Sequence, residues 1–249
     1  MESVKWGFKK LTATFINLAY IFNYIDSKRA LKMDNEIKDS MLKTGTSIVG
    51  IVCSDGVVLA ADRQVSAGNI VVSKTFDKII PINDRLLAAI TGGVSDAQIL
   101  MRIIAAELKL KELKARRKAT VKESANLLGF LTFRNIRNPS MIPAIVGSLV
   151  AGIDDDGTAK LYSVEPAGSI SEIKDYDANF GSGMPYILGV LEKSYVRGIS
   201  VKDGVKLAVD CLKASTQRDM GSGYGIDVYT LTKDGVKKVV SQEIQSVFK

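Results

Sequence analysis

Three side chains in this sequence have the types and setting for acyl-transfer chemistry: Thr46, Asp62 and Lys78. Thr46 follows Gly45 and opens an apolar run, 48–53, which Ser54-Asp55-Gly56 joins to a second run, 57–61. Asp-Gly between β-rich runs signals a hairpin, because both residues tolerate positive φ. A hydroxyl at the mouth of a buried strand, directly after a glycine, suits a nucleophile. It attacks a carbonyl only when a base takes its proton. Histidine is absent from all 249 residues, which removes Ser-His-Asp and Cys-His catalysis and His-ligated zinc. A base working near neutral pH is then an amine or a perturbed carboxylate. Cutting the Gly45–Thr46 bond would supply an α-amino group on the nucleophile's own residue, with an ordinary pKa of about 7.7–8.0. Glycine at 45 permits the tight backbone through which Thr46 attacks its own upstream carbonyl. A nearby lysine such as Lys78 favours the alkoxide and keeps the amine unprotonated, and Asp62 would hold that lysine in place and ionised. The uncut chain would be an inactive precursor. Each residue also has a plain role open to it: Thr46 in a strand, Asp62 in a turn, Lys78 as an exposed edge charge.

The elements that must position these residues are strand-rich at first. After the hairpin the pattern predicts strands at 70–72, 76–82 and 86–90, with Asn83-Asp84 turning between the last two. Apolar residues at three-to-four spacing, Ile99, Leu100, Ile103, Ile104 and Leu108, predict a helix from near Ser95. Its basic far end suits a solvated helix C-terminus. Thr120 with Glu123 reads as a capping box for a second helix, stopped at Asn138-Pro139. Strands are expected at 144–153 and 159–164 around an acidic turn, Asp154-Asp155-Asp156-Gly157. That cluster lacks the later ligand positions of a calcium loop. Helices follow from Gly181-Ser182-Gly183 to Tyr195 and from about Ser200 to Arg218, then a loop at 220–225 and a hairpin, 226–232 with 236–240. The order predicts two sheets with a pair of helices on each outer side, an α+β sandwich.

Composition is that of a globular protein, 46% hydrophobic and 24% charged. Residues 1–45 carry eight Lys/Arg against five Asp/Glu, so +3 of the net +7 lies there and +4 in the rest, too little to point to nucleic acid. Cys53 and Cys211 are far apart without CxxC spacing and read as core thiols, and no metal site or cofactor is expected. The charge-free run 11–25 imitates a signal peptide or a span. Thr12, Thr14, Asn17 and Asn23 interrupt it, and it is too short and polar to cross a bilayer. An amphipathic helix, discarded or docked on a partner, fits it better, followed by a charged linker over 34–43. Translation starting at Met33 or Met41 would leave it out altogether. Ser171-Glu172-Ile173-Lys174 and Lys43-Thr44-Gly45 imitate penicillin-binding motifs, but in the wrong order and without Ser-Asp-Asn between them.

From Thr46 onward the chain resembles the β subunit of the 20S proteasome, most closely the archaeal form, over roughly 200 residues. The likeness rests on Gly45-Thr46 as processing site, Val57-Val58-Leu59-Ala60-Ala61-Asp62-Arg63, Phe76-Asp77-Lys78-Ile79, Gly92, Asp96-Ala97-Gln98, Gly181-Ser182-Gly183 and Gln217-Arg218-Asp219-Met220-Gly221-Ser222-Gly223. It implies the four-layer αββα sandwich of N-terminal-nucleophile hydrolases. It also implies a propeptide over 1–45 and a catalytic domain over 46–249. Thr46 would be nucleophile and base, Lys78 would tune the proton transfer and Asp62 would position Lys78. The Gly92 N–H would meet the oxyanion, and Ser182, Asp219 and Ser222 would support the site. Val65, Phe76, Ile80, Ile90 and Val94 would line a substrate pocket favouring cleavage after hydrophobic residues. The implied protein is a cytoplasmic threonine endopeptidase for unfolded proteins, in seven-membered α and β rings stacked α7β7β7α7, with an ATPase regulator docked on the α rings. No cofactor, nucleic acid or membrane enters that reading. The chain departs from the pattern at Gln64, where the family usually has arginine, at Ser47 and Ile48, where threonines are common, and in its longer, more apolar leader. Two rivals stay open: an unprocessed structural subunit of a mixed β ring, and an amidohydrolase of the same fold acting on small amides.

Overall fold

The computed structural model describes residues 45–140 and 143–243. The expected leader helix over 11–25, the linker over 34–43 and the Lys43-Thr44 pair lie outside them. Two five-stranded antiparallel sheets face each other. The first orders β10 (Tyr176–Asp177), β1 (Ile48–Cys53), β2 (Gly56–Asp62), β11 (Gly225–Thr232) and β12 (Gly235–Glu243). The second orders β5 (Ile79–Asn83), β6 (Leu86–Gly92), β7 (Val146–Ile153), β8 (Ala159–Val164) and β9 (Ile170–Ile173). A small ribbon, β3 (Val65–Ala67) with β4 (Ile70–Ser73), stands apart from both.

Helices cover the outer faces. α1 (Val94–Ala115) and α2 (Val121–Arg137) seat Ile104 and Leu128 on Val150 and Tyr162 of the second sheet. α3 (Met184–Ser194) and α4 (Val201–Thr216) seat Ile187 and Leu212 on Val49 and Val58 of the first. Ile48, Leu59, Leu87, Leu149 and Leu161 fill the space between the sheets. Neighbours on one strand thus serve different cores, Val57 and Leu59 facing the other sheet while Val58 and Ala60 face the helices. Strands buried on both sides explain why 48–53 and 57–61 read as unbroken apolar runs. The expected αββα sandwich is the observed fold.

The boundaries moved in places. The strand expected at 76–82 begins only at Ile79 and runs along a sheet edge, which is where Pro81, with no N–H to donate, is tolerated. Phe76 and Lys78 lie ahead of it, in chain fastened by the Ile90 N–H donating to the Lys78 carbonyl at 2.9 Å. The turn after it is Asp84-Arg85, because Asn83 still pairs with Leu86 and its side chain accepts from the Arg85 N–H at 2.9 Å. β9 and β10 escape the sequence pattern, being short, polar and on sheet edges. The Thr120–Glu123 capping box is present with both of its hydrogen bonds.

Candidate active site

Thr46 sits just before β1, buried, with its side-chain Oγ1 donating to the Gly45 carbonyl at 2.6 Å. Its N–H donates to Ser182 Oγ at 3.0 Å, and its carbonyl accepts from the Gly183 N–H at 3.1 Å. Gly45 is dictated by packing: a Cβ there would lie 1.9 Å from Gly221 Cα. The segment 45–47 is therefore clamped between two loops.

The ion pair comes from the ends of two strands. Asp62 closes β2, and its carboxylate accepts from Lys78 Nζ at 2.6 Å and from the N–H groups of Ser47 (2.9 Å), Gln64 (2.9 Å) and Gly223 (3.0 Å). Lys78 Nζ also reaches the Gly45 carbonyl oxygen, at 3.3 Å. Asp62 is 1% and Lys78 4% exposed, so both charges are held out of water. Burial pulls the Lys78 ammonium below the ordinary lysine range, with the Asp62 carboxylate pulling the other way. Burial likewise pushes Asp62 up, against Lys78 and the Ser47 and Gly223 amides.

The remaining expected residues gather on the other side of Thr46. Asp219 Oδ2 accepts from Ser182 Oγ and Ser222 Oγ, both at 2.6 Å, and its Oδ1 accepts from the Gly221 N–H at 3.1 Å. The loops that carry these groups each contain a non-glycine residue at positive φ, Asn179 at 44° and Tyr224 at 60°. Such backbone is uncommon and marks loops whose course is fixed by their surroundings. Gly92 ends β6 at φ 95°, where a Cβ would lie 2.1 Å from the Ile145 carbonyl oxygen. It borders a small opening with Thr46, Phe76, Lys78, Ile90, Thr91 and Val94. Of the expected pocket residues, Phe76, Ile90 and Val94 line this opening. Ile80 turns toward the helix-side core and Val65 lies on the β3–β4 ribbon, so neither lines it.

Sequence reasoning missed four contributors. Ser47 and Ser215 have buried hydroxyls bonded to each other, and Ser47 Oγ also bonds Ser222 Oγ at 2.7 Å. Gln64 Nε2 donates to the Met220 carbonyl and to Ser66 Oγ, both at 2.7 Å, so it ties β2 to the 219–223 loop. Support of Lys78 does not depend on this side chain, because Asp62 is gripped by backbone N–H groups. Arg63 forms a two-pronged pair with Asp227, Nε at 2.9 Å and Nη2 at 2.6 Å. A signal for that pair existed: a charge at Asp227 inside the apolar strand 226–232 demands a partner. Among the described residues no group of three or more Cys, Asp or Glu side chains is set to hold a metal ion.

Two facing sheets between helix pairs, with Thr46 leading β1 and Lys78 beside it, make the fold of N-terminal-nucleophile hydrolases. A family model described as proteasome subunit matches residues 42–231. The chain is 48% identical over 196 residues to a proteasome subunit beta of Nanoarchaeum equitans, an alignment covering 78% of this chain and 96% of that one. It is 42% identical over 216 residues to a proteasome subunit beta of Archaeoglobus profundus, covering 86% and 97%. Against a proteasome subunit beta 1 of Thermococcus onnurineus it is 41% identical over 205 residues, covering 82% and 97%. The chain belongs to the proteasome subunit family, as a β-type member similar to those of archaea.

Proposed function

We propose that this chain is a catalytic β subunit, a threonine endopeptidase made as a precursor that cuts itself between Gly45 and Thr46. The observation that carries the reading is the position of the Gly45 carbonyl oxygen, 2.6 Å from the Thr46 hydroxyl and 3.3 Å from Lys78 Nζ. Thr46 Oγ1 attacks the Gly45 carbonyl carbon while Lys78 stabilises the oxygen's developing charge. The hydroxyl proton passes to the Thr46 nitrogen, the C–N bond breaks and an ester remains. Water hydrolyses that ester, releasing residues 1–45 as a carboxylic acid and leaving Thr46 with a free amine and a free hydroxyl. In each later turnover the amine takes the hydroxyl proton and Oγ1 attacks the peptide carbonyl. The amine then passes that proton to the leaving nitrogen as the C–N bond breaks, leaving an ester that water activated by the amine hydrolyses. Lys78 holds down the amine's pKa through charge repulsion, and Asp62 holds Lys78. The Gly92 N–H serves the oxyanion, and Ser182, Asp219 and Ser222 order the amine.

Phe76, Ile90 and Val94 give the opening an apolar wall, which favours cleavage after hydrophobic residues. Assembly follows the family: β rings stacked against α rings, α7β7β7α7, fed with unfolded cytoplasmic proteins by an ATPase regulator. Intact-mass measurement on particles assembled from the full chain tests this. A species beginning at Thr46, absent from Thr46→Ala, together with hydrolysis of an unfolded protein, is the expected result. A persistent full-length mass and no hydrolysis would make the chain a structural subunit, and turnover of small amides alone would make it a different hydrolase.

A further inference from the structure

Resting on that reading of Thr46, we infer that Ser47 and Ser215 are positioning residues that hold Ser222 against Asp219 and so keep the Asp219–Ser182 arm set on the Thr46 nitrogen. Ser47 is the residue through which both halves of the site grip the nucleophile. Its N–H donates to Asp62 at 2.9 Å and its carbonyl accepts from the Asp62 N–H at 3.0 Å. Its hydroxyl meets Ser215 at the end of α4 and Ser222 in the 219–223 loop. Ser47 and Ser215 are both 0% exposed, so water cannot substitute for either bond. The fit is close: a Cβ at Gly183 would lie 1.8 Å from Ser47 Oγ and 2.2 Å from Ser215 Oγ.

The proton directions follow from chemistry. A carboxylate only accepts, so Ser222 and Ser182 each give Asp219 their single hydroxyl proton. Ser222, with its proton committed, must accept from Ser47. Ser47, having one proton, must in turn accept from Ser215. The relay thus runs one way, Ser215 to Ser47 to Ser222 to Asp219. Ser182, likewise committed to Asp219, can only accept from the Thr46 nitrogen, as it does at 3.0 Å. After the cut the amine therefore gives an N–H to Ser182 and keeps its lone pair free for the Thr46 hydroxyl proton.

The test uses full-length chain in assembled particles, with Ser47→Ala, Ser215→Ala, the double variant and Ser47→Thr, each scored for the fraction cut at 45–46. On the cut fraction, kcat, KM and the pH dependence of hydrolysis of a fluorogenic peptide are measured beside Tm. Each alanine variant is expected to lower kcat by about 10- to 100-fold with KM little changed, since small misplacements of a nucleophile have effects of that size. The acid limb of the profile should move to lower pH, because an amine that loses the Ser182 acceptor holds its extra proton less well, and Ser47→Thr should restore most of kcat. The double variant should lose no more than the worse single one, because the two hydroxyls act as one device. Alanine variants with a lower Tm but wild-type kcat and pH profile, or losses that multiply in the double variant, would overturn the inference. If a variant fails to assemble, the remaining single variant and Ser47→Thr still decide it by the same kcat and pH readouts. An uncut, inactive wild-type particle would overturn the parent reading and this one together.

Discussion

Asp62 and Arg63 are consecutive residues, yet they enter two buried ion pairs with different work to do. Asp62 turns inward to Lys78, a point charge on a flexible stem that burial inclines to lose its proton. Arg63 turns outward to Asp227, whose carboxylate is also held by Lys238 Nζ at 2.9 Å, while Arg63 Nη2 bonds Ser241 Oγ at 2.5 Å. Hydrogen bonding to Asp227 raises the guanidinium further above its already high value. Burial pushes Asp227 up, but Arg63 and Lys238 outweigh it and hold the carboxylate below its ordinary range. The inner pair lies against the Gly45 carbonyl beside Thr46, while the outer pair fixes its own charges. A buried ion pair is therefore not a functional signal in itself: what the cation can reach decides.

Exchanging the cations breaks this comparison most severely at the inner pair. Lys78→Arg keeps a charge beside Asp62 but puts a larger planar guanidinium where a compact ammonium is 4% exposed and 3.3 Å from the Gly45 carbonyl oxygen. The charge is thereby displaced from the reacting atoms, and hydrolysis should fall by about 1,000-fold. Steady-state kinetics on assembled particles measures this, and near-normal turnover would mean that Lys78 serves only as a counter-ion. At the outer pair, Arg63→Ala leaves Asp227, at 4% side-chain exposure, with Lys238 alone, and should cost about 1.5–3 kcal/mol of stability, the range for hydrogen bonds to a charged group. Its kcat should stay within a few-fold, because neither residue touches Thr46. The pH sign follows from the lowered Asp227 value: the pair's stability is complete above the unfolded carboxylate's pKa, about 3.9, and is lost as pH falls through the lower folded one. Acid unfolding of wild type and variant should converge below that window.

Gln64 sits between the two pairs and should show an intermediate effect. Gln64→Ala releases the Met220 carbonyl, on a residue open to solvent, and Ser66 Oγ, which is buried; the loss should be about 1 kcal/mol, most of it from Ser66. Because the freed loop carries Asp219 and Ser222, kcat should fall several-fold while the Lys78–Asp62 pair persists. Thermal melts and kinetics on the same particles separate the two consequences. Gln64→Arg is expected to keep the loop only where its guanidinium still reaches the Met220 carbonyl.

The sequence carried the layers and the inner half of the site because those are written in local patterns. Runs such as 57–61 declare strands buried on both faces, and the Gly45-Thr46 step, Asp62 and Lys78 stand out as polar residues where apolar ones are expected. Ser182, Asp219 and Ser222 were reachable only through motif resemblance, since nothing local ties a loop after β10 to a loop after α4. The hydroxyls of Ser47 and Ser215 were illegible for a different reason: serine is tolerated at a strand mouth and at a helix end alike, and only the approach of Gly183 brings the two together. The start of β5 was misread because Phe76, Lys78 and Ile80 alternate as a strand does. Only Ile79 onward pairs with β6, and ahead of it the chain is fastened by the bond from the Ile90 N–H to the Lys78 carbonyl.

The smallest predicted effect lies at an ion pair open to water, and it calibrates the other two. Glu123 of α2 accepts from Arg117 at 2.8 and 2.9 Å and from the Thr120 N–H at 3.0 Å, while Thr120 Oγ1 accepts from the Glu123 N–H at 3.1 Å. Hydrogen bonds from Arg117 and Thr120 pull Glu123 down to about 2. Its contribution is therefore complete above the unfolded glutamate's pKa, about 4.3, and is lost as pH falls through about 2. Thr120→Ala removes the cap and should lower stability by about 1 kcal/mol near neutral pH, with no change in kcat or in processing. Here the geometry is as good as at Arg63, with two prongs and short distances, but solvent screens the charges, so the expected loss reflects the cap rather than the pair. If denaturant melts gave Arg117→Ala a loss as large as Arg63→Ala, burial would not be what distinguishes the pairs, and the contrast drawn between Lys78 and Arg63 would need another physical basis.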